Sequence, residues 1–298
     1  MKKLKLTCAH AIVKHLIAQK ILIDGKKQPL FPGVFGIFGH GNVACLGQAL
    51  EENKDNLPTY RGHHEQNMAL TGVAYSRAKR RKQIFIATSS VGPGSTNLLT
   101  AAAVAMSNRI PILFLPGDTY ANRMPDPVLQ QVEHFNNPGI TANDAFKSVT
   151  RYFDRITRPE QILQSLPQAI QLMIDPADAG PACLSLCQDT QGETFDYPEE
   201  FFKERVHNIR RPKPDDFEIK KAAEKIKSCK NPIIISGGGV FYSGAMEELG
   251  NFAIKHNIPV TQTVMGYSTM KRDHSHFLGP IGGCLLYTSD AADEGLGV

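Results

Sequence analysis

The chain has 298 residues, 42% of them hydrophobic and 21% charged, with 33 Lys+Arg against 29 Asp+Glu and a formal net charge of +4. That length suits two domains of ordinary size, and the composition excludes a disordered chain, a collagen and a coiled coil. The small basic excess argues against a nucleic-acid binder, and the one basic run, Lys79-Arg80-Arg81-Lys82, reads as the solvated C-terminal end of a helix.

In chain order, residues 8–20 read as a helix with Ile12, Leu16 and Ile17 on one face, followed by a buried strand over Val34–Phe38. Helical spacing returns over 43–52, a short strand covers Leu57–Tyr60, and a long helix runs from His64 to Lys82. Strands over Ile84–Thr88 and Ile110–Leu115 flank a helix over Ser95–Ser107; after a long loop come a helix over 159–174 and a strand over Ala182–Leu186. Short apolar runs alternating with helices imply a mainly parallel sheet covered on both faces. Residues 191–215 turn polar, with Pro198, Pro212 and Pro214, and read as a linker between a first domain (1–190) and a second (216–283). The second domain restarts the pattern: helix 216–229, strand Ile233–Ser236, Gly237-Gly238-Gly239, helix 243–256 and strand Ile258–Thr261, an unfinished unit with two clear strands. Residues 284–298 (CLLYTSDAADEGLGV) do not continue it and resemble translated adapter sequence, so they read as a foreign tail on a gene fragment.

Cys8, Cys45, Cys183, Cys187, Cys229 and Cys284 form no CxxC pair and no zinc spacing, which favours a reduced cytoplasmic protein; Cys183 and Cys187 sit in an apolar run and read as core thiols. The start Met-Lys-Lys does not read as a secretory signal, because His10, Lys14 and His15 interrupt the apolar stretch. The uncharged stretch 83–108 carries Ser89, Ser90, Gly92, Pro93, Gly94 and Ser95 in its middle, which makes a turn and not a membrane span.

Four glycine-rich places follow expected strands: residues 36–42 (GIFGHGN), 92–97 (GPGSTN), 116–118 (PGD) and the Gly237 triplet. Loops at the carboxyl ends of parallel strands are where α/β proteins bind ligands. None matches a dinucleotide or P-loop fingerprint, and each by itself also reads as a tight turn. In YRGHHEQ, Glu65 opens a helix directly after a strand. Taken alone it is an acid that favours the helix dipole, worth about 0.3–1 kcal/mol. His63 and His64 are adjacent, share no helix face and have no third ligand nearby, so no metal site is assigned to them.

Four segments carry a resemblance. RGHHEQNMALTGVAYSR resembles the part of thiamine-diphosphate enzymes in which a glutamate opens a helix after the second strand. VFGIFGHGN resembles that superfamily's first glycine loop, and TSSVGPGSTNLLTAAAVAMSNRIPILFLPGD its glycine-proline-glycine loop, helix and strand. NPIIISGGGVFYSGAMEELGNFAIKHNIPVTQTVMG resembles the start of its central domain. The wording of GHHEQNMAL and FGIFGHGN is nearest the branch that hydrolyses a cyclic 1,2-dione in inositol catabolism.

The resemblance implies an α/β fold: a three-layer parallel-sheet pyrimidine-binding domain followed by an incomplete Rossmann-like central domain. It implies thiamine diphosphate and Mg²⁺ as cofactors, with Glu65 bonding the aminopyrimidine so that its imino tautomer can take the proton from the thiazolium carbon. Gly39, Gly92 and Gly94 would let the backbone approach the cofactor. The implied reaction is hydrolytic cleavage of the ring C–C bond between two carbonyls, giving 5-deoxyglucuronate. His40, His63 and His64 are the candidates for activating water or stabilising an oxyanion, with His134 a further one; each also reads as a loop residue bonding backbone. The superfamily's Gly-Asp-Gly…Asn signature for the diphosphate and metal is not found in this sequence, so no metal ligand is assigned and the fragment is expected to be inactive alone. A homodimer or homotetramer with the site at the subunit interface is implied, with a small-molecule substrate and neither nucleic acid nor membrane as partner. Two alternatives remain: an acetolactate-synthase-like enzyme acting on 2-oxo acids, and a non-catalytic module of the same fold.

Overall fold

The structure is a computed structural model that describes residues 2–125, 128–132, 134 and 136–282. The chain divides into two compact units, Met1–Arg210 and Arg211–Val298.

The first unit opens with β1 (Lys3–Thr7), α1 (Cys8–Ile17), β2 (Gln19–Ile23) and β3 (Lys26–Pro29). Thr7 caps α1 by accepting from the His10 amide. The helix expected over 8–20 therefore ends at Ile17, and its last residues start a hairpin with β3. The turn is Asp24-Gly25, both with positive φ, as a tight two-residue hairpin requires.

Next come β4 (Val34–Gly36), α2 (Leu46–Glu52), β5 (Thr59–Arg61), α3 (Glu65–Ala78), β6 (Ile86–Thr88), α4 (Pro93–Thr96), α5 (Leu99–Asn108), β7 (Leu113–Phe114) and β8 (Gly117–Asp118). Then follow β9 (Tyr152–Ile156), α6 (Ile162–Ile174), β10 (Ala182–Cys187), α7 (Gln188–Gly192), β11 (Thr194–Pro198) and β12 (Arg205–His207). Strands β5-β4-β6-β7-β10-β8 form one sheet, with β9 also on β10, and every pairing in it is parallel. Successive strand residues face opposite ways. Val34, Ile86, Leu113, Ala182 and Leu184 pack with α1, α2 and α6, whereas Phe35, Ala87, Phe114 and Cys183 pack with α3 and α5. That is the three-layer arrangement expected from the sequence.

The segment read as a linker is in large part structured. β11 pairs antiparallel with β1 over its whole length, and β12 runs parallel to β2. Tyr197 is fully buried and donates to the Pro159 carbonyl at 3.0 Å, and Phe201 stacks on His15 at 4.0 Å. Composition alone misreads this stretch because its aromatics, not its average polarity, are what pack.

The second unit contains α8 (Asp216–Ser228), β13 (Ile234–Ser236), α9 (Gly238–Ser243), α10 (Met246–His256), β14 (Val260–Gln262) and β15 (Phe277–Pro280). Its three strands are parallel in the order β13-β14-β15, one more than the two expected. The Gly237 triplet forms the strand-to-helix turn, with Gly237 in extended backbone before α9. The segment read as a foreign tail, 284–298, lies outside the described residues. Among the described residues no helix is long and apolar enough to cross a membrane.

Candidate active site

The chain goes from β4 out to β5 and then crosses back over β4 to β6, so the strand order reverses between β4 and β6. The crevice outside the carboxyl ends of such strands is where open α/β sheets bind ligands. The loops after β4 (37–42), β5 (62–64) and β6 (89–92) end there.

Backbone contacts between these loops need glycine. A side chain on Gly117 would meet the backbone of Gly41 at 2.9 Å, and Gly41 itself has φ +91°. Asn42, almost fully buried, locks the first loop: its side-chain oxygen accepts from the Gly39 amide at 2.9 Å, and its amide donates to the Ile37 carbonyl and to Thr88 Oγ1, each at 3.1 Å.

Glu65 is the first residue of α3, half-buried, with His64 in extended backbone before it. Its Oε2 accepts from Asn97 Nδ2 at 3.0 Å. Its Oε1 lies beside Gly94, 3.4 Å from where an added Cβ would sit. The same Cβ would meet Ser90 Oγ at 2.3 Å, and one on Gly39 would meet Ser90 Cβ at 3.0 Å. Gly39, Gly94 and Glu65 are therefore gathered around Ser90, which fills the room a side chain at either glycine would need. Gly92 differs: its φ of +66° and ψ of −114° suit glycine alone, and the Gln130 carbonyl would lie 1.9 Å from a Cβ there.

The histidines fall apart. His63 lines a cavity of about 540 Å³ with Ile37, Arg61 and Gly62. His64 precedes α3 without capping it through its side chain, and it is exposed, as are His63, His40 and His134. His40 takes part through its backbone, its carbonyl accepting from the Val91 amide at 2.9 Å.

Behind the glycine loops lies a polar network that sequence reasoning missed. Asp118, almost fully buried, accepts from Arg155 Nε at 2.8 Å and from Ser185 Oγ. Arg155 Nη2 also donates to Asp144 at 2.6 Å and to Thr141 Oγ1 at 2.9 Å. Burial acts to raise the Asp144 carboxyl, but hydrogen bonds from Lys147, the Thr141 amide and Arg155 outweigh it and hold it below its ordinary range. Asn143 joins this network to the site, donating to the Gly117 carbonyl at 2.9 Å and to Ser185 Oγ at 2.7 Å while accepting from Ser95 Oγ in the glycine-proline-glycine loop. In sequence these residues lie up to 90 positions apart, and the only local signal was the PGD triplet. The buried thiols Cys8, Cys183 and Cys187 are not reactive groups: burial pushes Cys8 up to about 12 and also raises the other two.

Residues 19–137 match the family "Thiamine pyrophosphate enzyme, N-terminal TPP binding domain", and residues 219–294 match "Thiamine pyrophosphate enzyme, central domain". The chain belongs to the thiamine pyrophosphate enzymes. The second match overlaps the segment from 284 that the sequence pattern set apart.

Among curated relatives, the 3D-(3,5/4)-trihydroxycyclohexane-1,2-dione hydrolase of Bacillus subtilis is 50% identical over 281 residues, 94% of this chain and 44% of that protein. The protein of the same name from Clostridium tetani is 49% identical over 282 residues, again 44% of its length. The chain thus spans less than half the length of the curated relatives it matches. Among solved structures, the thiamine diphosphate-dependent 4-hydroxybenzoylformate decarboxylase of Rhodococcus jostii superposes with a TM-score of 0.74 at 19% identity, covering 92% of this chain and 48% of that one. That likeness shows a shared fold.

Proposed function

We propose that this chain supplies the pyrimidine-binding half-site of a cytoplasmic thiamine-diphosphate-dependent hydrolase that opens the ring of 3D-(3,5/4)-trihydroxycyclohexane-1,2-dione in inositol catabolism. The observation that carries the reading is the carboxylate of Glu65 at a helix start in the switch-point crevice, one oxygen held by Asn97 and the other beside the backbone of Gly94. The relatives' shared name supplies the substrate.

The residues present fit the aminopyrimidine end of the cofactor. A carboxylate on a rigid element can share a proton with a basic ring nitrogen, and Gly39 and Gly94 let the loop backbones pack closely beside it. When bound, thiamine diphosphate supplies a carbon nucleophile and an electron sink for C–C cleavage. Glu65 would hold and return the proton at the ring nitrogen. The Gly39 and Gly92 loops would exclude bulk water by close backbone packing. His63, on the wall of the neighbouring cavity with Arg61, would donate to a substrate oxygen or orient water; His40 and His64, on the exposed loop ends, would reach only substrate that extends past the crevice.

For Mg²⁺ the described residues offer no fit. Among the described residues, no group of three or more His, Cys, Asp or Glu side chains is placed to hold a metal. The metal ligands are therefore assigned to other parts of a full-length enzyme, in a dimer or tetramer that completes the site, and no step is derived through them.

The test is Glu65→Gln in a full-length enzyme containing this chain, assayed on the cyclic dione and on pyruvate. Ring opening of the dione should fall by at least about 10²-fold with folding intact. Retention of more than a tenth of turnover, or preference of the parent enzyme for pyruvate, refutes the reading.

A further inference from the structure

We infer that Asn97 is a positioning residue for Glu65, fixing which carboxylate oxygen lies beside Gly94 as the free acceptor. The inference rests on the reading of Glu65 as the acid that meets the cofactor, and it deepens that reading by giving the Asn97 contact a role in orienting the carboxylate.

The contact is specific in direction. Asn97 Nδ2 donates to Oε2 at 3.0 Å, while Oε1 is the oxygen that borders Gly94. A glutamate side chain turns about three bonds, so a helix start by itself does not orient its carboxylate. Holding one oxygen leaves the other as the free acceptor, and a charge-assisted bond is stronger than a neutral one.

Asn97 is itself well placed to hold. It terminates the short α4, where its amide reaches back to the Pro93 carbonyl. The next amide, of Leu98, bonds to Ser95 O, three residues back, so the backbone tightens at this point before α5 begins. Two anchors fix the tightened turn from below: Leu98 is fully buried, and Ser95 Oγ donates to Asn143, whose amide is bonded to Gly117 O and Ser185. The side chain of Asn97, by contrast, lies on the exposed side of the turn, where no packing demand explains an asparagine. The buried network thus ends on an exposed amide aimed at one carboxylate 32 positions away in sequence.

Asn97→Asp and Asn97→Ala separate this role from a structural one. Asp keeps the shape, loses the donor and sets a second negative charge beside Glu65. Ala removes the donor alone. The first measurement is the titration of the Glu65 side-chain carboxyl in the 298-residue chain by carbon-13 NMR, with no cofactor. The charged neighbour should raise the Glu65 midpoint by at least about one pH unit in Asn97→Asp, and loss of the donor should raise it less in Asn97→Ala. Melting temperatures should stay within about 2 °C of the parent, as for an exposed side chain. The second measurement uses the full-length enzyme loaded with thiamine diphosphate: Asn97→Ala should lower kcat at least ten-fold with KM for the dione within two-fold, and Asn97→Ser, which restores a shorter donor, should recover part of it.

An unmoved Glu65 midpoint in both variants overturns the inference, and so does a moved midpoint with unchanged kcat. A melting temperature lowered by several degrees without a midpoint change makes Asn97 merely structural and overturns it too. Failure of the Glu65 assignment registers separately: adding thiamine diphosphate to the full-length parent would leave the Glu65 carboxyl resonance where it was.

Discussion

Gly92→Ala tests the geometry of the site loops most directly. Two costs add at this position. The backbone, at φ +66° and ψ −114°, lies where L side chains are strained, a penalty of about 1–3 kcal/mol. The new Cβ would sit 1.9 Å from the Gln130 carbonyl oxygen and 3.2 Å from Val132 Cγ2, so the 130–132 backbone must move away. Overpacking of that kind costs about 1–3 kcal/mol more. Gly25→Ala isolates the first cost: Gly25 has φ +75° in the β2–β3 turn, and nothing lies within 4 Å of a Cβ there. It should lose about 1 kcal/mol. Urea denaturation followed by far-ultraviolet circular dichroism gives both values. Gly92→Ala should lower the midpoint two to three times as far as Gly25→Ala, with hydrogen exchange at the Gln131 amide speeding up in Gly92→Ala alone. Equal losses in the two variants would mean that the Gln130 carbonyl does not pack on Gly92, and the account of this loop would fall.

Arg155→Met should destabilise the first unit by about 3 kcal/mol or more, because it leaves the buried Asp118 carboxylate without its cation; a loss under about 1 kcal/mol in chemical denaturation would refute the pairing. His15 is buried, and desolvation lowers it from 6.5 to about 4 against the opposing hydrogen bond to the Phe201 carbonyl. Since the unfolded chain takes up that proton first, its contribution is complete above about pH 6.5 and is lost as pH falls towards 4, at most about 3 kcal/mol. A stability–pH profile of the parent should therefore drop more steeply over that window than that of His15→Leu; parallel profiles would contradict it. Asn42→Ala should loosen the 37–42 loop by removing three hydrogen bonds, seen as faster exchange at the Gly39 amide, and unchanged exchange would count against its locking role.

Much of the first unit was legible from local pattern. The helix over 162–174 follows its apolar period because it buries one face, and the strand over 182–187 follows its apolar run because it is buried on both. The Glu65 helix and the glycine loops were legible for a different reason: positions where the backbone must turn sharply or pack closely admit few residue types. The hairpin was missed although Asp24-Gly25 signalled it, and β1 was missed although Lys3-Leu4-Lys5-Leu6 alternates. Both strands are paired with partners distant in the chain or only partly buried, so their apolar signal is thin.

What the linear order could not contain was convergence. Asn97 meeting Glu65, Gln130 closing on Gly92, and Asp118, Asn143, Arg155 and Ser185 joining into one network all depend on loops brought to the same edge of a parallel sheet. A polar side chain read alone looks like surface. Only after folding excludes water must each buried donor and acceptor find a partner, and that requirement, set by the tertiary structure, decides which polar residues become part of the site.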